Sequence, residues 1–256
     1  MNLWRDQPAG GLETVRSAFP SLPNYRKEDK RFPLQKRLDG YHPRVRALCR
    51  HLLRTGIVKL QPHDMFTFPR WTTPIYVDLR LSLADPDARA AIANALADTI
   101  RAHFVVGRDP RAPPITIAGV ASGAISHATL AADRLGLPAA YVRPAPKDHG
   151  MGKQVEGSVE SGTPCVVVED VLGTGGSVRN AVETLQKHGA NVLGVCAVFS
   201  YHFGTLFKTV DGMNMPFVAL TDMTAVVDCA FESDVIDQDG HRAIGDWYAS
   251  RAHRPF

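Results

Sequence analysis

Val166-Val-Val-Glu-Asp-Val-Leu-Gly-Thr-Gly-Gly-Ser-Val178 runs from three consecutive valines through two adjacent carboxylates, Glu169 and Asp170, into a turn of small residues. A continuous β-branched apolar run reads as a strand buried on both faces, and the Gly/Ser/Thr turn opens a helix near Ser177. Glycines in such a turn let backbone N–H groups converge on a phosphate. The helix N-terminus adds a favourable dipole, and the hydroxyls of Thr174 and Ser177 supply further donors. Carboxylates beside that cradle are unsuited to the phosphate itself, because like charges repel. They suit the hydroxyls of an attached sugar, or a nearby cation. A Rossmann fingerprint requires glycine where Val178 stands, and a Walker A loop requires a Gly-Lys-Ser/Thr ending that the stretch lacks. A purely structural turn leaves the paired acids without a purpose.

The same alternation extends on both sides. Strands are expected at Ile75 to Leu81, Ile115 to Ala118, Ala139 to Val142, Cys165 to Val168, Val192 to Phe199 and Phe217 to Leu220. Helices are expected from Pro43, with Val45, Leu48, Cys49, Leu52 and Leu53 on one face, and from Asp85-Pro86 to about His103. Two more are expected from Gly123 to Leu135 and from Ser177 to His188. This is an α/β chain built on a parallel sheet of about five strands flanked by helices. Residues 1–42, interrupted by Pro and Gly, read as an N-terminal extension. Residues 43–256 read as one domain with a small hood over about 43–83, a core over about 84–221 and a helical tail over 222–256.

Composition narrows the class. The chain has 256 residues, of which 45% are hydrophobic and 21% charged, as in an ordinary globular protein. Cys49, Cys165, Cys196 and Cys229 are scattered without metal-site or secretory spacing and read as reduced thiols of a cytosolic protein. The opening residues hold no apolar core of a signal peptide. The longest uncharged run, Ala112 to Ala132, is too broken by Pro113, Pro114, Ser122, Gly123, Ser126 and His127 to cross a membrane. Between Asn24 and Arg54 ten basic residues face three acidic ones, although the whole chain carries only +3. Without aromatic interleaving or a groove-reading motif, that window reads as solvated surface rather than a nucleic-acid site.

Three further segments join the first. Tyr141-Val-Arg-Pro-Ala-Pro-Lys-Asp-His-Gly-Met-Gly-Lys-Gln-Val-Glu-Gly157 concentrates Arg143, Lys147 and His149 in a glycine-flanked loop, and Ile117-Ala-Gly-Val-Ala-Ser-Gly-Ala-Ile125 is a small-residue strand-to-helix turn. The third is Thr73-Pro-Ile-Tyr-Val-Asp-Leu-Arg80. With Val166 to Val178 they closely resemble the type I phosphoribosyltransferases, and within them the orotate phosphoribosyltransferases. The phosphate cradle is similar to that family's ribose-phosphate signature. The Lys-Asp-His-Gly run resembles its mobile catalytic loop, Ile117 to Ile125 its pyrophosphate loop, and Thr73 to Arg80 its strand beside the base. The likeness covers about Pro43 to Tyr248.

The resemblance implies a reaction in which orotate displaces diphosphate from 5-phosphoribosyl 1-diphosphate (PRPP), with Mg²⁺ as counter-ion and orotidine 5′-monophosphate as product, in pyrimidine synthesis. It implies Lys147 and Asp170 as catalytic residues. PRPP would be held by Arg143, Lys147, His149, Glu169, Asp170, Thr174, Gly175, Gly176, Ser177, Ala121, Ser122 and Gly123. Orotate would lie by Gly173, Tyr76, Val77 and Arg70. The protein would be a homodimer whose loop over 143–157 serves the neighbouring subunit's site. The chain departs from the family pattern in places. Gly173 stands where Thr or Ser is usual, Phe68-Pro-Arg-Trp-Thr72 replaces a lysine-bearing segment with Arg70 as its substitute, and Pro144-Ala-Pro146 takes the place of an extra lysine. Two other readings follow from those departures and from the basic window: a phosphoribosyltransferase for another base, and a non-catalytic PRPP-sensing regulator.

Overall fold

The three valines lie at the centre of the sheet. The computed structural model describes residues 41–68, 71–146, 153–203, 206, 213 and 215–251. The N-terminal extension and the part of the basic window before Tyr41 lie outside them. Ten strands and six α-helices order the described chain: α1 (Pro43–Arg54), β1 (Val58–Leu60), β2 (Phe66–Phe68), β3 (Trp71–Thr73), β4 (Ile75–Val77), α2 (Pro86–Ile100), β5 (Thr116–Val120), α3 (Ala124–Leu135), β6 (Ala139–Val142), β7 (Val155–Glu156), β8 (Pro164–Leu172), α4 (Gly176–Lys187), β9 (Asn191–Ser200), β10 (Phe217–Asp222), α5 (Met223–Glu232) and α6 (Gln238–Arg251). The main sheet has the order β10-β9-β8-β5-β6-β7. Its first five strands pair in parallel, as the sequence predicts, and only the two-residue β7 runs antiparallel, against β6.

Val166, Val167 and Val168 are wholly buried because β5 and β9 pair with both edges of β8 and helices cover the sheet, with α3 on β5 and α4 on β8 and β9. Each buried valine stabilises the fold by about 1.5–3 kcal/mol, and a strand covered on both faces needs no polar alternation.

Three boundaries differ from the sequence reading, each for a local reason. The strand expected over Ile75 to Leu81 stops at Val77, because the Asp78 side chain accepts from Arg80 N and caps a 3₁₀ turn over Leu79–Ala84. The helix from Pro86 is α-helical to Ile100 and goes on through a π turn, Arg101–Val105. The strand expected to stop at Val168 continues to Leu172, so both carboxylates lie inside it.

The small sheets β1-β4 and β2-β3 are antiparallel pairs before the core. The helical stretch after Asp222 packs back on the start of the described chain: α5 lies against α1, and Cys49 Sγ and Thr221 Oγ1 are 2.9 Å apart. All four cysteines are buried and unpaired. Among the described residues no helix is long and apolar enough to cross a membrane.

Candidate active site

Glu169 and Asp170 sit where one edge of β8 comes free. The parallel ladder with β5 ends at Gly119–Val168, whereas the ladder with β9 continues to Leu172–Ser200. From Glu169 onward β8 is therefore open on the β5 side, at the carboxyl edge where ligands lie in open α/β sheets. The gap is filled by Ala121, Ser122 and Gly123, the turn leaving β5, which Ala121 N anchors to the Val142 carbonyl at 2.9 Å.

The two acids are not equivalent. Glu169 is 5% exposed, while Asp170 is half-buried and has Gly123 against its carboxylate. Burial, a side-chain hydrogen bond to Asp170 and the Asp170 charge together push the Glu169 carboxyl up to about 9. At neutral pH Glu169 thus holds its proton and donates to Asp170, and Glu169 Oε1 accepts from Asp170 N at 3.1 Å. Glu169 therefore adds no charge of its own to what an incoming anion meets.

Two helices begin at this edge, and they differ from the other four. His42 caps α1, Asp85 caps α2, Asp222 caps α5, and Asp237 accepts from Gly240 N in the first turn of α6. α3 and α4 start instead at Gly123 and Gly175, with no side-chain cap and no acid in the first turn. Their first N–H groups are left for an anion. Gly175 has φ 82°, a left-handed conformation that favours glycine. Gly123 is needed for closeness: a Cβ there would lie 2.0 Å from Asp170 Oδ2. The turn after β5 and the acid pair of β8 are thus in contact. Thr174, Gly176 and Ser177 are exposed on the second turn and Gly175 is buried.

The residues expected beside the base reach the same edge. Tyr201, just past β9, donates from its hydroxyl to the Ile75 carbonyl at 3.2 Å, while Tyr201 N donates to the Leu172 carbonyl at 2.9 Å. This tie carries β4, with Tyr76 and Val77, to the end of β8. Tyr76 packs on Phe66 with ring centroids 5.7 Å apart. A Cβ on Gly173 would meet nothing within 4 Å, so the missing side chain leaves open space. Arg70 lies outside the described residues.

Of the loop residues, Lys147 and His149 also lie outside the described residues. Arg143 lies at the loop's base, its Nη1 3.8 Å from Glu156 Oε1. Arg143 N donates to the Gln154 carbonyl at 2.9 Å and Gln154 Nε2 returns a bond to the Arg143 carbonyl at 2.8 Å, closing the neck. Asn180 Nδ2 donates to the Pro144 carbonyl at 3.1 Å, joining that neck to α4. Asn180, Gln154 and Tyr201 were not singled out from sequence. Their roles depend on partners far away in the chain, and no local pattern announces them.

Among the described residues no group of three or more His, Cys, Asp or Glu side chains could cage a metal ion. One partly exposed carboxylate beside an anion cradle fits Mg²⁺, which is commonly held by one or two carboxylates together with substrate phosphates and water.

A sheet edge with an acid pair between two uncapped helix starts has the chemistry to take an anion beside hydroxyl groups. A family profile described as the phosphoribosyl transferase domain matches residues 82–216. An orotate phosphoribosyltransferase of Bacillus pumilus is 41% identical over 201 residues, which cover 78% of this chain and 92% of that protein. The crystal structure of orotate phosphoribosyltransferase from Aeropyrum pernix is similar with a TM-score of 0.58 and 27% identity, over 71% of this chain and 96% of that one. Leishmania donovani UMP synthase shares the fold, with a TM-score of 0.67 at 20% identity over 82% of this chain and 43% of that one. The chain belongs to the phosphoribosyltransferases and, within them, to the orotate phosphoribosyltransferase family.

Proposed function

We propose that the protein transfers the 5-phosphoribosyl group of PRPP to orotate. The C1–oxygen bond to diphosphate breaks, a bond from C1 to a ring nitrogen of orotate forms as that nitrogen gives up its proton, and pyrophosphate and orotidine 5′-monophosphate leave. The observation that supports this reading is the contact of Gly123 with the Asp170 carboxylate: the turn read as the diphosphate loop lies against the acid read as the ribose ligand.

The residues divide the work by charge. Gly175, Gly176 and Ser177, with Thr174, receive the 5′-phosphate on the uncapped start of α4, and Ala121, Ser122 and Gly123 receive the diphosphate on that of α3. Asp170 accepts from the ribose hydroxyls. Protonated Glu169 fixes Asp170 from behind and adds no charge of its own facing the polyanion. The transition state resembles a ribosyl oxocarbenium ion separating from diphosphate, so Arg143, Lys147 and His149 oppose the growing negative charge while Asp170 faces the cationic sugar. Asp170, together with the substrate's oxygens, would hold Mg²⁺, which would supply further positive charge to the leaving diphosphate. Tyr76, Val77, Gly173 and Arg70 bound the orotate. Closure of a glycine-flanked loop excludes water from the reactive sugar.

We further assign a homodimer in which loop 143–157 reaches the partner's site, and a cytosolic setting, which the four unpaired cysteines support. The deciding assay is pyrophosphate release from PRPP and Mg²⁺ with orotate, uracil or a purine. Turnover with orotate alone is expected. Turnover confined to another base, or none with any, would overturn the assignment.

A further inference from the structure

β4, the strand of Tyr76 and Val77, pairs with the three-residue β1 in a small sheet of its own, so among the described residues no ladder sets its distance from β8 in the main sheet. A two-stranded pair of that length is marginal by itself. Tyr201 crosses between the two sheets. Its N–H donates to the Leu172 carbonyl at 2.9 Å and its hydroxyl to the Ile75 carbonyl at 3.2 Å. Leu172 and Ile75 are wholly buried, while the residues that follow them, Gly173 and Tyr76, are half-buried. One residue therefore spans from the backbone just before Gly173 to the backbone just before Tyr76, two of the positions that bound orotate in the proposed reaction.

The brace is stiff. The Tyr201 ring is buried, meets Phe199 edge-on with centroids 5.1 Å apart, and stacks on Phe203 at 5.0 Å with the planes 7° from parallel. Phe203 stacks in turn on Tyr248 of α6, with centroids 6.2 Å apart. Burial holds the phenol's pKa well above its usual value, so the hydroxyl keeps its proton and stays a donor. Packing at Gly173 cannot set the width of the opening, since even a Cβ there would meet nothing within 4 Å.

We propose that Tyr201 is a positioning residue for the base: its hydroxyl holds Ile75, and hence Tyr76, at a fixed distance from Gly173 and so sets the width of the opening that takes orotate. The inference rests on the reading of Tyr76 and Gly173 as residues beside orotate. Its effect is confined to that half of the site, because the turns assigned to the 5′-phosphate and the diphosphate lie on α4 and α3, which the hydroxyl bond does not join.

Tyr201→Phe keeps the ring and its stacking and removes the hydroxyl alone. The Ile75 carbonyl retains a donor, Thr73 Oγ1 at 2.9 Å, so no buried acceptor is orphaned and the variant should fold. The matched control is Tyr248→Phe, which takes a tyrosine hydroxyl from the carbonyl of the adjacent residue, His202, at 2.6 Å, without touching β4. Steady-state rates at saturating PRPP and Mg²⁺ give KM for orotate, titration calorimetry with PRPP and Mg²⁺ reads the other half of the site, and thermal unfolding reads the fold. For Tyr201→Phe the expected result is an orotate KM raised about fivefold, as for one neutral hydrogen bond, with kcat and the PRPP dissociation constant within about twofold of wild type. For Tyr248→Phe it is a comparable fall in melting temperature with the orotate KM within about twofold. An unchanged orotate KM in Tyr201→Phe overturns the inference, as does a rise shared by Tyr248→Phe or matched by an equal loss of PRPP affinity, since each of those reports general loosening. A Tyr201→Phe chain that does not fold overturns it too, because the hydroxyl would then hold the fold rather than the opening. Wild-type protein that binds PRPP but turns over no orotate refutes the base assignment itself; a wild type active on orotate beside an unaffected Tyr201→Phe refutes only the brace.

Discussion

Replacing Glu169 by Gln separates its proton from its shape. The amide keeps the volume and the capacity to donate to Asp170 but cannot ionise. In the folded protein the carboxyl is pushed up to about 9, against about 4.3 for an unfolded glutamate. A group whose folded value is raised contributes stability that is complete below the unfolded value and is lost as pH climbs through the folded one. Within that window the slope reaches about 1.4 kcal/mol per pH unit, so between about pH 5.5 and about pH 7 the wild-type protein loses up to about 2 kcal/mol from this residue. Glu169→Gln lacks the loss. The stability difference between variant and wild type should therefore grow toward alkaline pH, by about 4–8 °C in melting temperature for a chain of this size. Denaturant and thermal unfolding of both ligand-free proteins across that range measure it, and other titrating groups cancel in the comparison. Parallel curves would refute the buried proton, and with it the neutrality of Glu169.

Gly123→Ala places a methyl group 2.0 Å from Asp170 Oδ2, so the carboxylate must move; kcat/KM is expected to fall about 100-fold with the fold intact, and near-normal turnover would remove the Gly123 contact from the mechanism. Gly173→Thr fills open space without a clash and should raise stability by about 0.4–1 kcal/mol in denaturant titrations, with a loss showing that the position is confined. For the shared loop, Lys147→Ala and Asp170→Ala, each inactive alone, are mixed and allowed to exchange subunits. About a quarter of wild-type activity should return, because half the dimers are mixed and each has one intact site; no recovery despite proven exchange means the loop serves its own subunit.

The parallel core was legible because Val166, Val167 and Val168 say the same thing locally and globally: β-branched, continuous and followed by small residues. So was the chemistry of the strand's end, where two acids meet a glycine turn. The misread boundaries have separate local causes. Val77, Leu79 and Leu81 alternate like a strand, yet Asp78 offers its carboxylate to Arg80 N and wins the backbone for a 3₁₀ turn. Glu169 and Asp170 looked like residues beyond a strand because charges seldom sit in a buried one. The ladder with β9 carries them while the side facing β5 is already open. What the sequence could not disclose is proximity between distant positions. Nothing near Gly123 in the chain announces Asp170, and nothing near Glu169 announces that its proton stays on.

The two helices that begin without caps give the ligand-free protein a thermal identity that depends on its buffer. Glycine in place of a side-chain cap gives up only a few tenths of a kcal/mol, so the two helices together leave under about 1 kcal/mol of ordinary stability unclaimed. Any small oxyanion that settles on Gly123 or Gly175 restores part of it, in proportion to the logarithm of its concentration. A melting temperature recorded in phosphate and one recorded in a zwitterionic buffer therefore describe differently occupied molecules. The same geometry sets a trap for engineering: Ser or Asp at either position looks like the obvious cap, yet at Gly123 its Cβ would strike the Asp170 carboxylate and at Gly175 a φ of 82° would strain it, so neither substitution recovers the missing stability.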